Sequence, residues 1–189
     1  MVGDFAEILI ADYLQFINDY VVPRTRYEHK DKRNSSTQGS DLLAYKISDP
    51  SKWSNEDELL VYEVKAQSSE RKVSSPRLQD AINDSAKDNT RLAESIVASG
   101  RRLIGLQKDE EARMVFRFLN STDEPYKKKY GAAAVHSKAS FSRQLLEDID
   151  TSKHPDDEIE LLVVHCEQLL NFILYMYELS LIHISEPTR

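Results

Sequence analysis

Apolar residues recur along this chain in two periods, and the change from one to the other marks its elements. Phe5, Ile8, Leu9, Tyr13, Phe16 and Ile17 recur at helical spacing and predict a helix over Asp4–Ile17, with Asp12 the one polar residue on that row. Asn18–Tyr27 leaves the helix, with Pro23 as breaker, and KDKRNSSTQGS is a polar loop closing on Gly39–Ser40. DLLAYKI (Asp41–Ile47) and LLVYEVKAQ (Leu59–Gln67) have strand character, and the turn-rich DPSKWSNEDE between them predicts a hairpin. Pro76 then marks a helix start, and Leu78, Ile82, Ala86, Asn89, Ala93 and Ile96 predict a long amphipathic helix over Leu78–Ser99, with Gly100 as its stop signal. A further helix is expected around Asp109–Leu119, and Lys127–Lys129 reads as a solvated loop. GAAAVHSKAS and EIELLVVHCE fit buried strands, and EQLLNFILYMYE a closing helix. The resulting order is helix, two strands, long helix, helix, strand, strand, helix. It predicts an α/β layered domain around a central mixed sheet.

Composition narrows the function more than the fold. A chain of 189 residues supports one domain with a real core. Its net charge of -7 argues against coating nucleic acid by bulk electrostatics. The charge is unevenly placed, however. Arg24, Arg26, Lys30, Lys32 and Arg33 form a basic stretch that would grip phosphates or simply be solvated, while Gln144–Glu178 is strongly acidic. The single cysteine, Cys166, excludes an internal disulfide and a multi-cysteine zinc site. Asp4 and Glu7 argue against a signal peptide, and the apolar run Leu169–Ile182 is short for a membrane helix and holds Glu178, so a cytoplasmic protein without membrane contact is expected. The closing LSLIHISEPTR, Leu179–Arg189, matches the in-frame translation of a sequencing-library adapter. The expectation is a single domain over residues 1–178, truncated at its C-terminus, followed by an artefact.

The candidate chemistry lies in the second strand. Strand alternation puts Val61, Glu63, Lys65 and Gln67 on one face and Leu60, Tyr62 and Val64 on the other. Hairpin pairing would bring Asp41 towards Glu63. Two convergent carboxylates suit a hard cation such as Mg²⁺, which can activate a water, and a neighbouring lysine can stabilise charge on a phosphate. The residue types match phosphodiester hydrolysis. The competing reading is a surface Glu–Lys pair, and two further E-x-K triplets, Glu28–Lys30 and Glu70–Lys72, show how common the spacing is. Glu7 adds a carboxylate on a helical row of Ile10, Ala11 and Leu14, where it either pairs with the site or snorkels to water. His136 and His165 read as satisfied core histidines. No Walker loop, dinucleotide-binding glycine pattern or G-x-S-x-G elbow is present.

Taken together, GDFAE, GSD and YEVKAQ resemble the PD-(D/E)xK nuclease superfamily, and over Gly3 to about Glu178 the chain resembles the HamA family, the nuclease subunit of the Hachiman anti-phage defence system. The resemblance implies a restriction-endonuclease-like three-layer domain with a central mixed sheet flanked by helices. It implies Asp41, Glu63 and the Val64 carbonyl as ligands of Mg²⁺, or Mn²⁺ in its place, with Lys65 as the catalytic lysine and Glu7 completing the site. Gln67 shares the face, and Ser40 stands where the motif usually has proline. The implied substrate is DNA, and the implied partner is HamB, a superfamily 2 helicase that restrains the nuclease. Two alternatives stay open: an inactive nuclease fold serving as an interaction subunit, and a nuclease acting on RNA.

Overall fold

A computed structural model of the chain describes residues 1–25, 40–69 and 75–185, the side chains of Asn89 and of residues 180–185 excepted. Its elements are α1 (Val2–Phe16), β1 (Leu42–Lys46), β2 (Glu58–Gln67), α2 (Arg77–Gly105), α3 (Asp109–Phe116), β3 (Lys127–Ser137), α4 (Arg143–Glu147), β4 (Glu160–Cys166) and α5 (Leu169–Ser185). The strands form one sheet in the order β1-β2-β3-β4. β1 and β2 are antiparallel, as their hairpin requires, while β2–β3 and β3–β4 are parallel and joined by helical crossovers.

Strand alternation sorts the core into two layers. Leu42, Ala44, Leu60, Tyr62, Val64, Ala133 and Val135 face α1 and α5, where they meet Ile10, Leu14, Leu169 and Ile173. Leu43, Tyr45, Leu59, Val61 and Tyr130 face the other way, against Leu92, Ile96 and Leu103 of α2 and Ala112 and Val115 of α3. The N-terminal part of α2 covers Ala132 and Ala134 through Leu78, Ala81 and Ile82. The small side chains of β3 let α2 lie close on the sheet. The domain therefore has a helix–sheet–helix section.

The element order agrees with the expected one, but several details do not. In α1 the buried face is Ala6, Glu7, Ile10, Ala11 and Leu14, while Phe16 and Ile17 are exposed. The helix is apolar nearly all round, and the closest approach goes to the face with two alanines. In α2 the buried stripe takes in Leu78, Ala81, Ile82, Ser85, Asp88, Leu92, Ser95, Ile96 and Ser99, so Leu78, Ile82 and Ile96 of the expected row are buried while Ala86 is half-buried and Ala93 exposed. Gly100 does not stop α2, which runs on to Gly105; a Cβ at Gly100 would lie 2.3 Å from the Phe116 ring, so the glycine serves the α2–α3 contact. Lys127–Lys129 is the start of β3, because β3 pairs with β2 along its whole length from Glu58. These lysines stay exposed, with Lys127 2.5 Å from Glu56 and Lys129 2.9 Å from Glu58. β4 is a half-exposed edge strand, and His165 lies exposed, stacked on Phe141, whereas His136 is buried.

Candidate metal centre

The hairpin register brings the first two candidates together. Leu42 pairs with Tyr62, so Asp41, one residue before β1, stands beside Glu63. The Asp41 backbone N–H donates to Glu63 Oε1 at 3.2 Å, and the Val64 N–H donates to Asp41 Oδ2 at 3.0 Å. The Asp41 side chain thus occupies the ladder position that β1 leaves empty, opposite Val64. A strand residue in such a pair sends N–H and C=O to the same side, so the Val64 carbonyl also leaves β2 towards Asp41. Lys65, on the same face as Glu63, places its Nζ 3.7 Å from Glu63 Oε2.

α2 covers this face and adds two acids that the sequence reading missed. Asp84 takes the Lys65 ammonium at 2.7 Å and also binds Lys87 at 2.6 Å. Asp88, one turn on, is 2 % exposed and hydrogen-bonds Ser40 and Glu63. Ser40 is itself tied to α2, its N–H donating to Ser95 Oγ at 3.3 Å. The signal was present in the sequence: an aspartate and Ser85 on the core stripe of an amphipathic helix demand a polar counterpart.

Electrostatics follow from the crowding. Glu63 is 6 % exposed, and burial, then Asp41 and Asp88, push its carboxyl up to about 10. Burial also pushes Asp88 up to about 6, against the hydrogen bonds from Ser40 and Glu63. Lys65 is held above its ordinary value: burial opposes its charge, but the Asp84 hydrogen bond and the charges of Glu63 and Asp41 outweigh it. Burying like charges together is unfavourable unless protons or a cation balance them.

The remaining candidates are spread out. Glu7 is buried, but its helix packs on the Leu60–Tyr62–Val64 face, across the sheet from Glu63 and Lys65. Gln67 lies at the end of β2, where the Ser75 hydroxyl donates to its Oε1. Arg24 is bound back onto α1, donating to Asp12 at 2.5 Å and Gln15 at 2.9 Å. Arg26, Lys30, Lys32 and Arg33 lie outside the described residues.

Among the described residues, no three His, Cys, Asp or Glu side chains already surround a common point. One Asp41 oxygen is turned onto the Val64 amide. The donor chemistry nevertheless fits a hard divalent cation. Asp41, Glu63 and Asp88 offer only oxygen, and Asp88 Oδ2 is buried without a hydrogen-bond partner. Among the described residues no helix is long and apolar enough to cross a membrane. A family model described as HamA matches residues 1–179. No curated protein and no solved structure matches the chain.

Proposed function

The chain belongs to the HamA family, and on that premise we propose that it is a metal-dependent DNA nuclease, the effector subunit of a Hachiman-type anti-phage defence system. The observation that carries this reading is the group Asp41, Glu63 and Lys65, gathered by one hairpin on a face lined by further acids. The succession of helix, antiparallel pair, long helix and parallel strand also supports a restriction-endonuclease-like, PD-(D/E)xK reading of the fold.

In this reading Asp41 and Glu63 hold Mg²⁺ or Mn²⁺, with the Val64 carbonyl as a further ligand. A cation held there would supply Lewis-acid chemistry, polarising a phosphoryl oxygen and lowering the pKa of an attacking water. Asp41 would have to exchange its hydrogen bond from the Val64 amide for this role. Lys65 places its ammonium against the charge that develops on the phosphate. Asp84 can release Lys65 at little penalty because it keeps Lys87 as a partner. A helicase of the HamB type is the proposed restraining partner, in a cytoplasmic setting. RNA in place of DNA is the alternative substrate.

Purified protein incubated with plasmid and Mg²⁺ tests the reading. The parent should nick or degrade the plasmid, Glu63→Gln and Lys65→Ala should lose at least a hundredfold in rate, and EDTA should stop cleavage. Equal rates in all three proteins would refute the site. A second reading, an inactive interaction subunit, is favoured by the exposed Phe172, Leu174, Tyr175 and Met176 of α5. It predicts no cleavage by any variant, even with the helicase and its DNA present.

A further inference from the structure

The hairpin supplies two carboxylates, and α2 brings a third into their neighbourhood, although the three do not yet surround a common point. Asp88 comes from the middle of α2, and almost none of its surface reaches solvent. Its carboxylate lies beside Ser40 and Glu63. Its second oxygen, Oδ2, is buried and has no hydrogen-bond partner. Whether such an oxygen carries a proton or a charge, it needs a partner, and leaving it without one is expensive.

Among the described residues, the neighbouring cations do not provide that partner. Lys65 is committed to Asp84 at 2.7 Å, and Arg91, which acts on Asp88 through its charge, is an exposed residue of the same helix. A water would satisfy that oxygen but add no positive charge beside Glu63 and Asp88, where Lys65 already stands 3.7 Å from Glu63. A divalent cation answers both needs, since oxygen donors at one point and charge compensation are what it requires.

Resting on the proposed metal site, we infer that Asp88 is a third carboxylate ligand, so that the cation is held between the hairpin and α2 and not by the hairpin alone. Metal binding then ties α2 to β1 and β2 through Asp88, and the same helix positions Lys65 through Asp84. Two residues one helical turn apart thus control the two halves of the chemistry, cation and lysine.

Calorimetric titration with Mn²⁺ alone, without nucleic acid, tests the assignment on the parent, Asp88→Asn, Asp88→Ser and Glu63→Gln. Asn keeps the shape and hydrogen bonds of Asp88, and Ser is a smaller second variant. Melting in EDTA should find Asp88→Asn at or above the parent temperature, because a buried acid is neutralised. Both Asp88 variants should bind Mn²⁺ roughly tenfold or more weakly than the parent, as Glu63→Gln does. Binding within about twofold of the parent by both Asp88 variants, with Glu63→Gln impaired, overturns the inference and leaves the hairpin site standing. A parent that binds no Mn²⁺ overturns both.

Discussion

Gly131 offers the sharpest test of the packing that positions Glu63. In register, Tyr62 of β2, Gly131 of β3 and Glu160 of β4 form one row across the sheet. The Tyr62 ring crosses above Gly131, and its hydroxyl donates to Glu160 Oε1 at 3.4 Å. A Cβ at position 131 would lie 2.1 Å from Tyr62 Cε2 and 2.3 Å from Cδ2, against an ordinary contact of 3.4–4 Å. The ring has no room to yield, since Tyr62 is fully buried within the α1–α5 layer. Gly131→Ala is therefore an overpacking substitution at the upper end of the usual range, about 3 kcal/mol, offset by roughly 0.5 kcal/mol from the stiffer unfolded chain. For a chain of this size the net loss lowers Tm by roughly 5–10 °C. It also lowers the urea midpoint by about 1 M. Tyr62→Leu removes the ring and leaves a cavity, so alone it costs about 2–4 kcal/mol. Together the two changes should destabilise by at least ~1.5 kcal/mol less than their sum, because the added methyl enters the space the ring vacates. Additive losses, or a Gly131→Ala protein as stable as the parent, would refute the crossing of Tyr62 over Gly131.

Other consequences follow from the same coordinates. Arg117 pairs with the 1 % exposed Asp57 at 2.8 Å and donates to the Asp49 carbonyl at 3.1 Å, so Arg117→Met should cost roughly 3–5 kcal/mol in urea unfolding, with part recovered when Asp57→Asn is added. Lysine should not rescue position 117, because it cannot span the same acceptors. Gly100→Ala should lose about 1–3 kcal/mol, and Phe116→Leu should suppress that loss; a stable Gly100→Ala protein would contradict the α2–α3 packing. In EDTA the protein should grow less stable as pH rises. Glu63 and Asp88 have raised values when folded, so their stabilisation is complete below the unfolded values of 4.5 and 3.8 and is lost as pH climbs through about 6 for Asp88 and on towards about 10 for Glu63. Each unit is worth about 1.4 kcal/mol. Melting at pH 5 and pH 8 should show this fall, Asp88→Asn should flatten it, and a stability that rises over that interval would reverse the sign.

Much of the architecture was legible without coordinates. The order of elements follows from local periodicity and punctuation: Pro76 sits at the head of α2, and the alternation in LLVYEVKAQ separates Tyr62 from Glu63. That alternation, with the turn between the strands, also brings Asp41 to Glu63, since a hairpin is a local structure. Helical faces were harder to read. α1 is apolar nearly all round, so periodicity alone did not choose between its Phe–Tyr row and its Ala6–Ile10–Ala11–Leu14 row; contact with the sheet chose. Gly100 resembled a helix stop because its role depends on Phe116, in the next helix.

The candidate site divides in the same way. The sequence by itself determined which residue types meet on β2 and β1, because strand geometry acts over neighbouring positions. Only the tertiary structure decided that α2 would fold over that face, bringing Asp84 onto Lys65 and Asp88 onto Glu63 across 19 and 25 residues of chain. It also put Glu7 on the far side of the sheet, on the helix that packs against Tyr62 and Val64. The physical reason is that a sheet has two faces and a helix must bury one stripe. Which stripe meets which face is settled by the fit of small residues such as Ala132 and Ala134 against α2, a property of the assembled layers and not of any one segment.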